Sequence, residues 1–168
     1  MKKLAYLIIL LLFVPTIVFA SSFDITADKV ILYNLNDDTI LYEQNSNEQT
    51  NIASLTKIMT ALVAIENIDD YDEYVTITAK DFEGTNGYSK AGFSIGDQVT
   101  YRDLLYGILL PSGADAVNAI VNNTLGYDAF IDAMNNKAQE IGLENTSFSN
   151  PVGKDATDNY STASDIAK

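Results

Sequence analysis

The 168-residue chain has no cysteine and no histidine. The first absence excludes disulfides, thiol nucleophiles and thiolate metal ligands. The second removes the Ser-His-Asp and Cys-His arrangements and, together with the first, the usual zinc sites. A hydrolase written in this alphabet must use carboxylates, lysine, tyrosine, or a hydroxyl activated by one of these. Basic residues are scarce as well: 10 Lys and Arg face 23 Asp and Glu, for a formal charge of −13. Such a surface repels phosphate backbones, so a nucleic-acid partner is not expected. It offers little to anionic lipid headgroups.

The length suits one domain. Residues 1–20 stand apart from it. "MKK", the apolar "LAYLIILLLFV" and the small residues of "VFA" before "SS" read as a secretory signal peptide, with cleavage expected after Ala20. The competing reading is an N-terminal membrane anchor. The apolar run is short for a span and Pro15 interrupts it. In either case the domain, residues 21–168, is expected outside the cytoplasm. Lys2 and Lys3 belong to the leader, so residues 21–168 keep 8 basic and 23 acidic side chains.

Two β-prone runs, about 29–34 and 39–44, flank the turn-rich "NDD" and predict a hairpin. From Ser54 to Glu66, Ile58, Met59, Leu62, Val63 and Ile65 fall at helical spacing. "YVTIT" predicts a short strand, and the Gly- and Ser-rich segment 80–97 reads as irregular. Thr100 followed by Asp103 predicts a capped helix that runs to about Leu110 and stops at Pro111. A helix is expected over about 114–122. Another over "YDAFIDAMNNKAQEIG" should set Phe130, Met134 and Ile141 on one face and end at Gly142. After the long loop "ENTSFSNPVGKDATDNY", Thr162 and Asp165 open a last helix of little more than one turn. A helix so short and a lone hairpin are both marginal by themselves. The sequence is therefore expected to be a C-terminally truncated fragment.

In "ASLTKIMTALVAIE", Ser54 and Lys57 are three residues apart and share a helix face. A serine hydroxyl needs a base to become a nucleophile. A lysine serves only when burial or neighbouring positive charge lowers its pKa. A helix N-terminus also favours negative charge growing on the serine oxygen. The plain alternative is a serine cap followed by an ordinary helical lysine.

The stretch closely resembles the first active-site motif of the penicillin-binding D-alanyl-D-alanine carboxypeptidases, serine peptidases of the low-molecular-mass penicillin-binding class. "VILYNLNDDTILYEQNSNE" resembles the hairpin before that motif. "SIGDQVTYRDLLYGILLPSGADAVNAI" is similar to the segment entering the second motif, and "GLENTSFSNPVGKDATDNYSTASDIA" to the stretch after it. The resemblance implies an α/β (α+β) fold of the β-lactamase/transpeptidase type, a helical cluster with an antiparallel sheet whose C-terminal strands are missing here. It implies Ser54 as nucleophile and Lys57 as its base, with no metal or organic cofactor. The implied substrate is a peptidoglycan stem peptide ending in D-Ala-D-Ala, and β-lactams would act as inhibitors at the same serine. Cell-wall location, or the outer face of the membrane through a C-terminal anchor not contained in this sequence, follows from the same resemblance.

Two departures stand out. Ser112 matches the serine of the family's Ser-x-Asn motif and would relay a proton, but Ala114 stands where Asn is usual. Asn118, one turn later, is a candidate to compensate; an ordinary polar helix position is the rival reading. The third motif, Lys-Thr-Gly, does not occur. A catalytically impaired relative that binds cell-wall peptides and a β-lactamase-like hydrolase are the competing functions. "NDD" and "DDYDE" lack the spacing of a calcium loop and read as solvated turns.

Overall fold

The computed structural model describes residues 25–168. The signal peptide expected over 1–20 lies outside the described residues. The predicted hairpin forms as β1 (Val30–Asn34) and β2 (Thr39–Gln44), paired antiparallel with a register shift between Leu32 and Tyr33. A 3-10 turn over Ala53–Leu55 leads into α1 (Thr56–Glu66). The short strand β3 (Tyr74–Thr76) pairs antiparallel with β4 (Gln98–Thr100), a strand just past the segment 80–97 that no sequence pattern predicts. The helices α2 (Tyr101–Leu109), α3 (Ala114–Asn123) and α4 (Tyr127–Glu140) follow, and α5 (Ala163–Ala167) closes the chain.

Local chemistry accounts for most of these boundaries. At α2 the Thr100 hydroxyl accepts from Asp103 N at 3.1 Å, and the Asp103 carboxylate accepts from Thr100 N at 2.9 Å, a reciprocal capping box. Thr162 caps α5 in the same sense, accepting from Asp165 N at 3.0 Å. The C-terminus of α4 is closed by Gly142 at φ 77, with Leu143 N donating to Ala138 O at 2.8 Å and Gly142 N to Gln139 O at 3.1 Å.

The core lies among α1 to α4. Phe130 and Met134 of α4, Leu104 and Ile108 of α2, Val117 and Ile120 of α3 and Val63 of α1 are all fully buried. Each large side chain so removed from water contributes about 1.5–3 kcal/mol before entropy is counted. Ile141 does not join them. The helix ends at Glu140, so the chain leaves the helical screw before Ile141 can return to the core face; Ala138 and Leu143 are buried instead. Helix α1 differs from its simple apolar reading too. Met59 and Val63 are buried, whereas Ile58 and Ile65 are 55% and 44% exposed. With Leu55 and Leu62 they form a second apolar stripe at i, i+3, i+7 and i+10 spacing, on the other side of the helix.

The long loop 144–160 is stitched down by side-chain amides. Asn135 of α4 brackets Phe148, accepting from its N at 2.9 Å and donating to its O at 2.7 Å. Asn159 donates to the Thr56 hydroxyl of α1 and accepts from Ser149 N. Isolated bridges join Thr50 to Ser161 and Ser147 to Tyr160. The loop is thereby held against the start of α1.

Candidate active site

Ser54 sits in the 3-10 turn that precedes α1, and its hydroxyl caps neither that turn nor the helix. The plain capping reading therefore does not describe it. The hydroxyl instead receives a hydrogen bond from Lys57 Nζ at 3.3 Å. Ser54 is exposed, while Lys57 lies beneath it at 3% exposure. Burial pushes the Lys57 ammonium below its ordinary pKa, and no carboxylate among the described residues counters that effect. The other Nζ partner is the main-chain carbonyl of Val152, at 2.7 Å.

Helix α1 and the loop meet along one face. Thr56, Lys57 and Thr60 all point at the loop, and the Thr60 hydroxyl donates to Pro151 O at 2.7 Å. Gly153 (φ 81) packs against the turn carrying Ser54; a Cβ there would overlap the Ala53 carbonyl. Ala53 itself holds a left-handed φ of 44° and Ser112 one of 61°. Neither residue type favours that region, and such outliers gather where a site over-determines the backbone.

An open cleft of about 520 Å³ exposes the serine, lined by Ala53, Ser54, Gly87, Tyr88, Ser89 and the turn Gly153–Asp155. It is accessible from solvent and mixes polar with apolar lining. Ser112 follows α2 and is half-buried. Its segment is tied to the cleft wall, because Ala114 N donates to Ser89 O at 2.8 Å and the Asp115 carboxylate accepts from Ala91 N at 2.7 Å. The two nitrogen contacts of Lys57 do not include the Ser112 hydroxyl. The structure thus brings Ser54 and Lys57 together and leaves Ser112 without a direct bond to either.

Asn118 does not substitute for the amide absent at Ala114. Its Nδ2 is engaged with the carbonyls of Asp81 and Glu83, at 3.1 and 2.9 Å, where it pins the segment 81–83 to α3. The "DDYDE" carboxylates serve local structure: Asp70 accepts from Asp72 N, and Asp72 pairs with Arg102. Sequence reasoning missed the loop side of the cleft. "NPVG" is a turn signal that points to a bend. No residue type announces which main-chain carbonyl will face a lysine.

Comparison with known proteins supplies the family. Residues 16–168 match the peptidase S11 family, described as D-alanyl-D-alanine carboxypeptidase. The chain belongs to the peptidase S11 family. It is 35% identical over 144 residues to D-alanyl-D-alanine carboxypeptidase DacF of Bacillus subtilis, covering 84% of this chain and 37% of that protein. It is 36% identical to DacC of Escherichia coli, covering 94% of this chain and 43% of the relative. Among solved structures, penicillin binding protein 5 from Haemophilus influenzae superposes with a TM-score of 0.80 at 31% identity, over 88% of this chain and 45% of that one. The Streptomyces K15 DD-transpeptidase gives a TM-score of 0.82 at 34% identity, over 88% and 60%. The S11 chain described here therefore has the DD-peptidase fold, helices with small antiparallel sheets, and spans less than half the length of the DacF and DacC relatives.

Proposed function

We propose that the S11 chain carries the nucleophilic half of a serine-type D-Ala-D-Ala carboxypeptidase, exported and acting on peptidoglycan stem peptides. The observation that carries this reading is the buried, carboxylate-free Lys57 amine 3.3 Å from the exposed Ser54 hydroxyl. In its neutral form Lys57 takes the Oγ proton as Ser54 attacks the carbonyl between the two terminal D-alanines. The proton passes to the departing amine, the last D-alanine leaves, and water hydrolyses the Ser54 ester. Ser112, on the segment tied to the cleft wall, relays a proton between the amine and the leaving group. β-Lactams acylate the same oxygen. Residues 1–20 act as the export signal, and residues 21–168 form the N-terminal part of a transpeptidase-like catalytic domain.

The test is fluorescent-penicillin labelling of the full-length protein beside its Ser54→Ala variant. Labelling of the first and not the second is expected. An unlabelled wild-type protein, or a labelled variant, would sink the assignment. A second reading, an acylated but slowly deacylating relative that binds cell-wall peptides, is favoured by one observation: the Asn118 amide is committed to Asp81 and Glu83, so nothing on α3 replaces the amide missing at Ala114. The lifetime of the penicillin adduct, set beside the rate of D-alanine release from a D-Ala-D-Ala peptide, separates the two.

A further inference from the structure

A neutral lysine amine has two N–H donors and one lone pair. It can take the Ser54 proton only when that lone pair faces Oγ. The terminal rotor of a lysine turns freely unless something holds it. In this chain the holder is the Val152 carbonyl, which accepts one N–H at 2.7 Å and so limits the rotor to settings in which the lone pair or the second N–H meets Ser54. A main-chain acceptor stays in place only if its turn does.

The turn is built around one side chain. Asn150 is buried, and its Oδ1 accepts from Gly153 N at 2.9 Å and from Lys154 N at 2.7 Å. Its Nδ2 donates to Lys154 O at 2.9 Å. Three hydrogen bonds from one amide close the loop Asn150–Lys154 on itself, with Val152 at its tip. The Thr60 hydroxyl, one helical turn beyond Lys57, anchors the same loop through Pro151 O. Asn150 has no hydrogen bond to α1, so whatever it does for the lysine it does through the carbonyl.

We propose that Asn150 is a positioning residue for Lys57, holding the Val152 carbonyl where it orients the lysine amine toward Ser54. The inference rests on the assignment of Lys57 as the base. Other charged side chains lining this cleft are Lys154 and Asp155, both on the same loop.

The experiment measures the rate constant for acylation by fluorescent penicillin against pH, with a thermal melt for each protein, in the full-length form. Asn150→Ala frees the turn, and acylation is expected to fall by roughly 10²-fold, the usual cost of misplacing a reacting group by an ångström. Asn150→Asp keeps the size and the two acceptor bonds and loses the donor to Lys154 O. It should recover part of the rate at high pH. The negative charge it adds to the loop that contacts Lys57 favours the ammonium, so its acid limb should move to higher pH than in the wild type. Both results together support the role. An Asn150→Ala variant that acylates at the wild-type rate overturns it. So do two variants whose rates fall only with the folded fraction while the pH profile stays put. Ser54→Ala is run alongside. If it still labels, the assignment of Ser54 as nucleophile, and with it of Lys57 as its base, has failed; if it does not label and the Asn150 variants behave as wild type, only the positioning role has failed.

Discussion

Lys57 is the residue whose energetics and chemistry pull in opposite directions. Its amine is buried without a counter-ion, which disfavours the ammonium and leaves a base available nearer neutral pH. The same burial costs stability. A lysine whose folded pKa is depressed binds fewer protons than in the unfolded chain, so stability rises with pH between the depressed value and the ordinary one near 10.4. Below the depressed value the full penalty for burying the charge is present. Lys57→Met removes this titration along with the proposed base. The variant is expected to lose penicillin labelling, and its melting temperature should lack the rise that the wild type shows as the buffer is taken from neutral toward pH 10. Melts in a pH series check the sign: a wild-type advantage that shrinks with rising pH would contradict it. Ser54 and Lys57 were legible because no histidine or cysteine competes for the role and because the surrounding segments resemble a family that uses such a pair. Val152 and Asn150 stayed hidden, because a carbonyl contact across 95 residues has no residue-type signature.

The elements were legible wherever a short-range rule governs them. Thr100 with Asp103, Thr162 with Asp165, and Gly142 after α4 all act over three or four residues, within reach of sequence reading. The Thr100 box has an expected cost of its own. Thr100→Ala should lower stability by about 1 kcal/mol by leaving an N-terminal donor of α2 unpaired, with Thr100→Ser restoring most of it. Chemical denaturation of the three proteins measures this, and an Ala variant as stable as the wild type would show that water satisfies the donor equally well. The reading faltered where a helix serves two surroundings. Ile58 and Ile65 count as apolar positions of α1 in the sequence, yet periodicity does not say which of two apolar stripes the helical cluster covers. Strand β4 escaped for another reason: it is three residues long and is defined by its pairing with β3.

Over the whole molecule the apolar surface is unevenly covered. The helical cluster is well filled, whereas the hairpin exposes Leu35 at 84%, Leu41 at 62% and Ile40 at 51%. A groove lined by Val30, Ile31, Ile52, Leu55, Ile166 and Ala167 runs between the hairpin, the turn that precedes α1, and α5. Connected apolar surface of this kind drives association in water. Residues 21–168 expressed alone are therefore expected to be poorly folded, self-associating and without carboxypeptidase activity. Sedimentation velocity, a thermal melt and D-alanine release from a D-Ala-D-Ala peptide test this. A monomeric, cooperatively melting and active protein would refute it.

The amino-acid sequence by itself determined the caps and stops of the helices and the hairpin, because these depend on residue type and on spacings of a few positions, and its resemblance to a known family singled out the candidate nucleophile and base. Tertiary structure alone decided that Ser54 faces an open cleft instead of capping a helix, that Lys57 is buried under it, and that Asn118 is spent on the 81–83 segment. Each of those outcomes depends on where a distant loop comes to rest. That position is set by the packing of four helices and by side-chain amides bonding to backbone far away in the chain, and neither appears in local pattern.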